Sequence, residues 1–139
     1  MVIRFRFQNL KVWQLAIEIA DDLFDIADQL EEKELYRFSD QLRGAGMSMS
    51  NNIAEGSGSS SKREFKQFLN MARRSCFENA SILILLQRRN LLTLDLLESY
   101  LDRLDHLGRQ ITNFQSSLND QTLCAMRDRV CLCMNLISV

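Results

Sequence analysis

The chain has 139 residues, 46% of them apolar and 25% charged, with five Gly and no Pro. Those proportions fit one globular domain and exclude a disordered, collagenous or membrane-spanning chain; at this length roughly 68% of the unfolded surface is buried, so no disulfide or metal staple is required. Seventeen Lys and Arg against eighteen Asp and Glu leave a formal charge of −1, which as a whole points to no polyanionic partner.

The uncharged stretches 45–54 and 80–86 fall well short of the ~20 apolar residues a membrane span needs. Arg4 and Arg6 sit among Val2, Ile3, Phe5 and Phe7, but no apolar run and cleavage site follow, so a secreted protein is not expected. Cys76, Cys124, Cys131 and Cys133 lack zinc-site spacing and read as reduced thiols of a cytoplasmic protein.

Apolar residues recur at helical spacing almost throughout, which predicts an all-α chain. From Asn9, read as an N-cap, Trp13, Ala16, Ala20, Leu23, Ala27 and Leu30 form a stripe that Leu10, Ile17 and Phe24 widen; this is helix one, about residues 9–31. Its other side, Glu18, Asp21, Asp22, Asp25 and Asp28, is a solvated acidic face.

Helix two, about 35–55, turns Phe38, Leu42, Ala45, Met49 and Asn52 or Ile53 inward. Gly44 and Gly46 each cost a helix interior roughly 1 kcal/mol against Ala, so something other than propensity selects them. Either another helix approaches closely there, or a polar seam lies at a bundle or subunit interface. Ser48, Asn52 and Glu55 share one side of this helix, where structural hydrogen bonding is favoured over action on a substrate, with Arg43, Arg73 or Arg74 as partners for Glu55 or Glu78.

Gly56 reads as a residue just past the helix end and 56–60 as a loop, with Ser61 and Glu64 spaced as a capping box. Helix three then carries Phe65, Phe68, Leu69, Ala72, Cys76, Asn79, Leu83 and Leu86 on one face to near Asn90. Phe77, Ile82, Leu85 and Leu92 lie off that face, which suggests burial against another subunit. Thr93 caps helix four, where Leu94, Leu97, Leu101, Leu104, Ile111, Phe114 and Leu118 keep a near-heptad register.

The expected architecture is an antiparallel, up-and-down four-helix bundle over 1–118, with a C-terminal extension, 119–139, packed on its own or a neighbouring subunit. In that extension Leu123, Met126, Val130, Met134 and Ile137 fit a helix, while 130–134 equally reads as a short strand.

Charge is unevenly placed: residues 1–34 hold four basic and eight acidic groups, 35–92 nine and four, 93–139 four and six. At about 100° per residue, Lys62, Arg63, Lys66, Arg73, Arg74 and Arg88 fall within roughly a 120° arc of helix three, away from its apolar face. Such a stripe suits a phosphate backbone, or else is a solvated face paired with an acidic neighbour such as helix one. No aromatic residue is placed on the stripe to stack bases.

Enzyme patterns are lacking. The one histidine, His106, beside Asp102 and Asp105, reads as part of a solvated face. One histidine cannot supply two Glu-x-x-His metal motifs, and no phosphate-binding glycine loop occurs. No catalysis, cofactor, metal or small-molecule substrate is expected.

Three runs carry a family resemblance: Phe7 to Ala16, Gln41-Leu42-Arg43, and Ser48 to Gly56 with its Asn52-Ile53-Ala54-Glu55-Gly56 core. Glu64-Phe65, Phe68-Leu69, Ala72, Ser75 and Glu78 continue it. The chain resembles the four helix bundle proteins encoded within intervening sequences of bacterial large-subunit ribosomal RNA genes, over about residues 7–118. The resemblance implies an antiparallel bundle, a ring-like homopentamer and no catalysis. It also implies a kinship with the accessory variability determinant of diversity-generating retroelements, which is basic and binds RNA and a reverse transcriptase. Where that family commonly has further arginines this chain has Gly44 and Ser59, and Arg74 stands where the family has glycine. The resulting expectation is a homo-oligomer that shows its helix-three cations, with Arg43, to RNA or a nucleoprotein; the alternative is a protein interaction scaffold with no nucleic-acid role.

Overall fold

The computed structural model describes residues 2–134, with side chains from Val2 to Asn119. A 3-10 turn, Arg6–Asn9, leads into α1 (Lys11–Glu32), α2 (Tyr36–Ser57), α3 (Lys62–Arg88) and α4 (Leu94–Met134). No strand occurs among the described residues. Helix four therefore continues past Leu118, and 130–134 is helical rather than extended. What the extension's side chains pack against, and residues 135–139, lie outside the described residues.

Helix one starts later than the sequence suggests. Leu10 N–H donates to the Phe7 carbonyl at 2.9 Å, so Asn9 ends the 3-10 turn and Leu10 is the N-cap. The Leu10 N–H is thus met by the preceding turn, and no polar side chain caps the helix. Two further starts follow the expected chemistry: Ser61 Oγ accepts from Glu64 N–H and Thr93 Oγ1 from Leu96 N–H, each at 3.3 Å.

The ends of α1 and α3 share one device. Glu34 (φ 61°) and Asn90 (φ 58°) adopt the left-handed conformation. Leu35 N–H returns to the Leu30 carbonyl and Leu91 N–H to the Leu86 carbonyl, both at 2.9 Å, while Glu34 and Asn90 N–H reach Glu31 and Gln87. This double return satisfies carbonyls that a helix end otherwise leaves open, and it turns the chain within a few residues.

Connections of three to five residues separate the helices, so sequential neighbours pack antiparallel. Helix α1 packs on α2, α2 on α3, α3 on α4, and α4 closes back on α1; among the described residues the backbones of the diagonal pairs α1 with α3 and α2 with α4 do not approach closely. The core between them is built from Ile19, Leu23, Leu42, Met49, Ile53, Leu69, Leu83, Leu107 and Ile111, all fully buried.

Several stripes turn slightly from their expected bearing. In α1, Val12, Ile19 and Ile26 supply the second buried flank, whereas Ile17 is exposed and Phe24 and Trp13 are half-buried. Two neighbours, α2 and α4, draw α1 inward on the Ile19 side. Ile82 and Leu92 are buried within this chain, not left for another subunit, while Leu94 is 57% exposed at the start of α4.

The glycines separate into two kinds. A Cβ at Gly44 would meet nothing within 4 Å, and at Gly46 only ordinary contacts with Leu23. Gly56 is different: it lies inside α2, not beyond it, and a Cβ there would stand 2.6 Å from Phe68 Cβ and 2.7 Å from Phe65 Cδ2. Close approach of α3 therefore selects Gly56. Gly56→Ala is expected to lower the unfolding free energy in urea by ~1–3 kcal/mol through overpacking, whereas Gly44→Ala should raise it by about 1 kcal/mol; equal responses would refute this assignment.

Candidate functional site

Helix α3 shows its outer face to solvent because only α2 and α4 flank it. The six cations of the expected stripe occupy that face, with Lys62, Arg63, Arg74 and Arg88 exposed and Lys66 and Arg73 half-buried. From Lys62 to Arg88 the row runs about 39 Å at 1.5 Å per residue. Pairing with α1 does not occur, since α1 lies diagonally opposite. Among the described residues, none of the six makes an ion pair. Lys66 Nζ instead donates to Asn119 Oδ1.

Part of the acidic side of α1 is answered from other helices. Arg43 on α2 bonds Asp28, reaches Glu31 Oε2 at 2.6 Å, and donates to buried Ser39 Oγ at 2.7 Å. Its hydrogen bonds to Asp28 and Glu31 raise its pKa further, so it is a committed cation. Arg43 therefore ties α1 to α2 and is not part of the α3 row. Arg103 on α4 meets Asp22 at 2.5 Å and lies 5.7 Å over the Tyr100 ring.

One aromatic side chain does interleave the row, contrary to the sequence expectation. At 100° per residue Phe77 and Ile84 fall within the arc of the six cations, and they are 68% and 42% exposed. The Arg73 guanidinium carbon lies 6.0 Å from the Phe77 ring centre. The angular signal was present in the spacing, but reading Phe77 only as a leftover of the apolar stripe hid it.

Beside Phe77, between α3 and α4, a groove of about 410 Å³ is lined by Cys76, Ala80, Leu101, Leu104 and Gly108, with Arg73, Asp105 and Arg109 also on it. Asp105 and Arg109 pair with each other one helical turn apart. His106 is exposed and joins no cluster; among the described residues no group of three His, Cys, Asp or Glu is placed to hold a metal. Nor is any helix there long and apolar enough to cross a membrane.

On the opposite flank of α3, Ser48, Asn52, Met71, Arg74, Ser75 and Glu78 line a polar groove against α2. Ser48 and Ser75 hydroxyls share a 2.8 Å hydrogen bond, and Asn52 Nδ2 donates to the Ser48 carbonyl at 2.7 Å and to its hydroxyl at 3.1 Å. Glu55 stands outside this groove, and neither it nor Glu78 makes the expected ion pair with an arginine. Beneath it, fully buried Asn79 donates to the Ala45 and Ser75 carbonyls, each at 2.8 Å, while its Oδ1 has no partner. These bonds stitch α2 to α3. The polar seam thus joins two helices of the one chain.

At the far end of the bundle Phe7 meets half-buried Trp13 with ring centres 4.8 Å apart, Arg6 lies 5.8 Å over Phe65, and Phe65 meets Phe114 edge-on at 5.5 Å. This cluster seals the apolar interior where Gly56 admits α3.

Cys76 is 4% exposed, and burial pushes its thiol up to about 12. The thiolate is the reactive form, so at neutral pH Cys76 is inert. Peptide mapping after alkylation should find it unmodified in the folded protein and modified in urea; rapid labelling under native conditions would contradict its burial.

Comparison with known proteins agrees with this architecture. No curated protein matches the chain. Among solved structures, a protein of unknown function from the S23 ribosomal protein family of Bacteroides thetaiotaomicron VPI-5482 is similar, with a TM-score of 0.71 and 23% identity over 76% of this chain and 95% of that one. The family profile described as 23S rRNA-intervening sequence protein matches residues 8–113. The chain belongs to the 23S rRNA-intervening sequence protein family.

Proposed function

We propose that this chain is a non-enzymatic, self-associating bundle that binds RNA through the outer face of α3. The observation that carries the reading is the row of cations on α3, none of which makes an ion pair among the described residues, although the chain as a whole is slightly acidic. Unpaired guanidinium and ammonium groups along one exposed helix match the regular phosphates of a nucleic acid, and their release of condensed counterions makes binding salt-dependent.

Self-association is supported on the opposite side of the square. There α1 and α2 enclose a groove of about 400 Å³ along exposed Ile17 and Met47 and half-buried Phe24. A second copy seated on this side leaves α3 open to RNA. The homopentameric ring implied by the family resemblance belongs to this same reading.

Filter binding with a structured RNA tests the first part. Submicromolar affinity at low salt should fall steeply at moderate salt, and the Lys62→Glu, Arg63→Glu, Arg74→Glu variant should lose about tenfold or more of it; no binding at low salt would overturn the reading and favour an interaction scaffold. Sedimentation equilibrium tests the second. A mass several times 16.1 kDa is expected, and Met47→Glu should lower it; a 16.1 kDa monomer at micromolar concentration would overturn self-association.

A further inference from the structure

The cation row explains attraction to any polyanion, whereas the α3/α4 groove bears on which kind. Its floor is apolar: Cys76 and Leu104 are buried, and Ala80 and Leu101 partly so. Phe77 forms one wall with most of its ring in solvent. A cavity of about 410 Å³ lies within the size range of small-molecule sites. Gly108 borders it, and a Cβ there would meet nothing within 4 Å, so the groove is open at this point. Arg73 and Arg109 stand at its edges, and Arg73 belongs to the cation row.

We infer that this groove receives an unpaired nucleobase, so that the RNA bound along α3 is single-stranded or looped where it passes Phe77. The inference rests on the RNA reading above. Its chemistry is specific: a base attached to a phosphate chain is a flat apolar disc tethered to anions, and here an exposed aromatic ring over an apolar floor sits within a row of cations. Base stacking on aromatic residues combined with a positively charged track is the general solution for single strands. A duplex keeps its base faces stacked inside and offers the groove nothing but phosphates, so only the cation row would hold it. Thr112 and Asn113 on α4 also line the groove and offer hydrogen bonds to a base edge.

Fluorescence anisotropy with a labelled single-stranded oligoadenylate and a blunt RNA duplex of equal length tests this on the full chain. The unmodified protein should prefer the single strand. Phe77→Ala should cost about tenfold in single-strand affinity and change duplex affinity by less than about twofold. Gly108→Leu, which projects a side chain from α4 into the groove, should act the same way, with circular dichroism confirming an unchanged helix content. A bromouridine-substituted strand should photo-cross-link to the peptide containing Phe77. Equal binding of both RNAs by the unmodified protein, or unchanged single-strand affinity in both variants, overturns the inference while leaving the RNA reading intact. Binding of neither RNA overturns both. A Phe77→Ala variant whose sedimenting mass falls while its single-strand affinity holds assigns the groove to a second copy and overturns the inference as well.

Discussion

Connections of three to five residues oblige successive helices to lie side by side, and that constraint decides which charges meet. With α1, α2, α3 and α4 in cyclic order, the acidic helix and the basic one fall on a diagonal and their backbones do not approach closely. Asp22, Asp28 and Glu31 are then answered by Arg103 and Arg43 from the two adjacent helices. The cations of α3 are left facing outward. A bundle of nearly balanced total charge thereby acquires a strongly one-signed face, and such a face concentrates a polyanion as net charge alone would not.

Packing and polarity divide the remaining work between the two flanks of α3. Against α2 the contact is close and hydrogen-bonded: Gly56 admits the Phe65 and Phe68 rings, while Ser48, Ser75 and Asn79 link the two helices. Buried polar groups of this kind fix register more than they add stability, because alternative pairings would strand their donors. Against α4, among the described residues, polar bonds are confined to Lys66, which meets Gln115 and Asn119, and farther along an apolar groove remains. One helix is therefore locked on one side and leaves a recess on the other.

Much of this was legible in the sequence. The helices, their order, most of the core and the Ser61 and Thr93 caps follow from apolar period and cap chemistry. What escaped depends on partners that spacing does not name. Gly56 looked like a terminator because Gly commonly follows helix ends, yet its role is set by two phenylalanines on another helix. Ile82 and Leu92 appeared surplus until the bundle's own interior took them. Arg43 belonged by charge with the α3 cations, but its bonding to Asp28 and Glu31 depends on how α1 and α2 cross. The reverse error befell Phe77, whose place within the cation arc follows from simple angular arithmetic and needed no structure.

The central claim is that the α3 cations are surplus to the fold because their acidic counterpart stands across the diagonal. The most direct measurement is the urea midpoint of a Lys62→Gln, Arg63→Gln, Arg74→Gln variant beside that of Arg43→Gln. The account predicts that the triple variant unfolds at the parent midpoint or above it, as like-charge repulsion on α3 is relieved, while Arg43→Gln unfolds earlier. A triple variant that unfolds clearly before the parent would show that these charges are already paired within the chain, and would contradict the account.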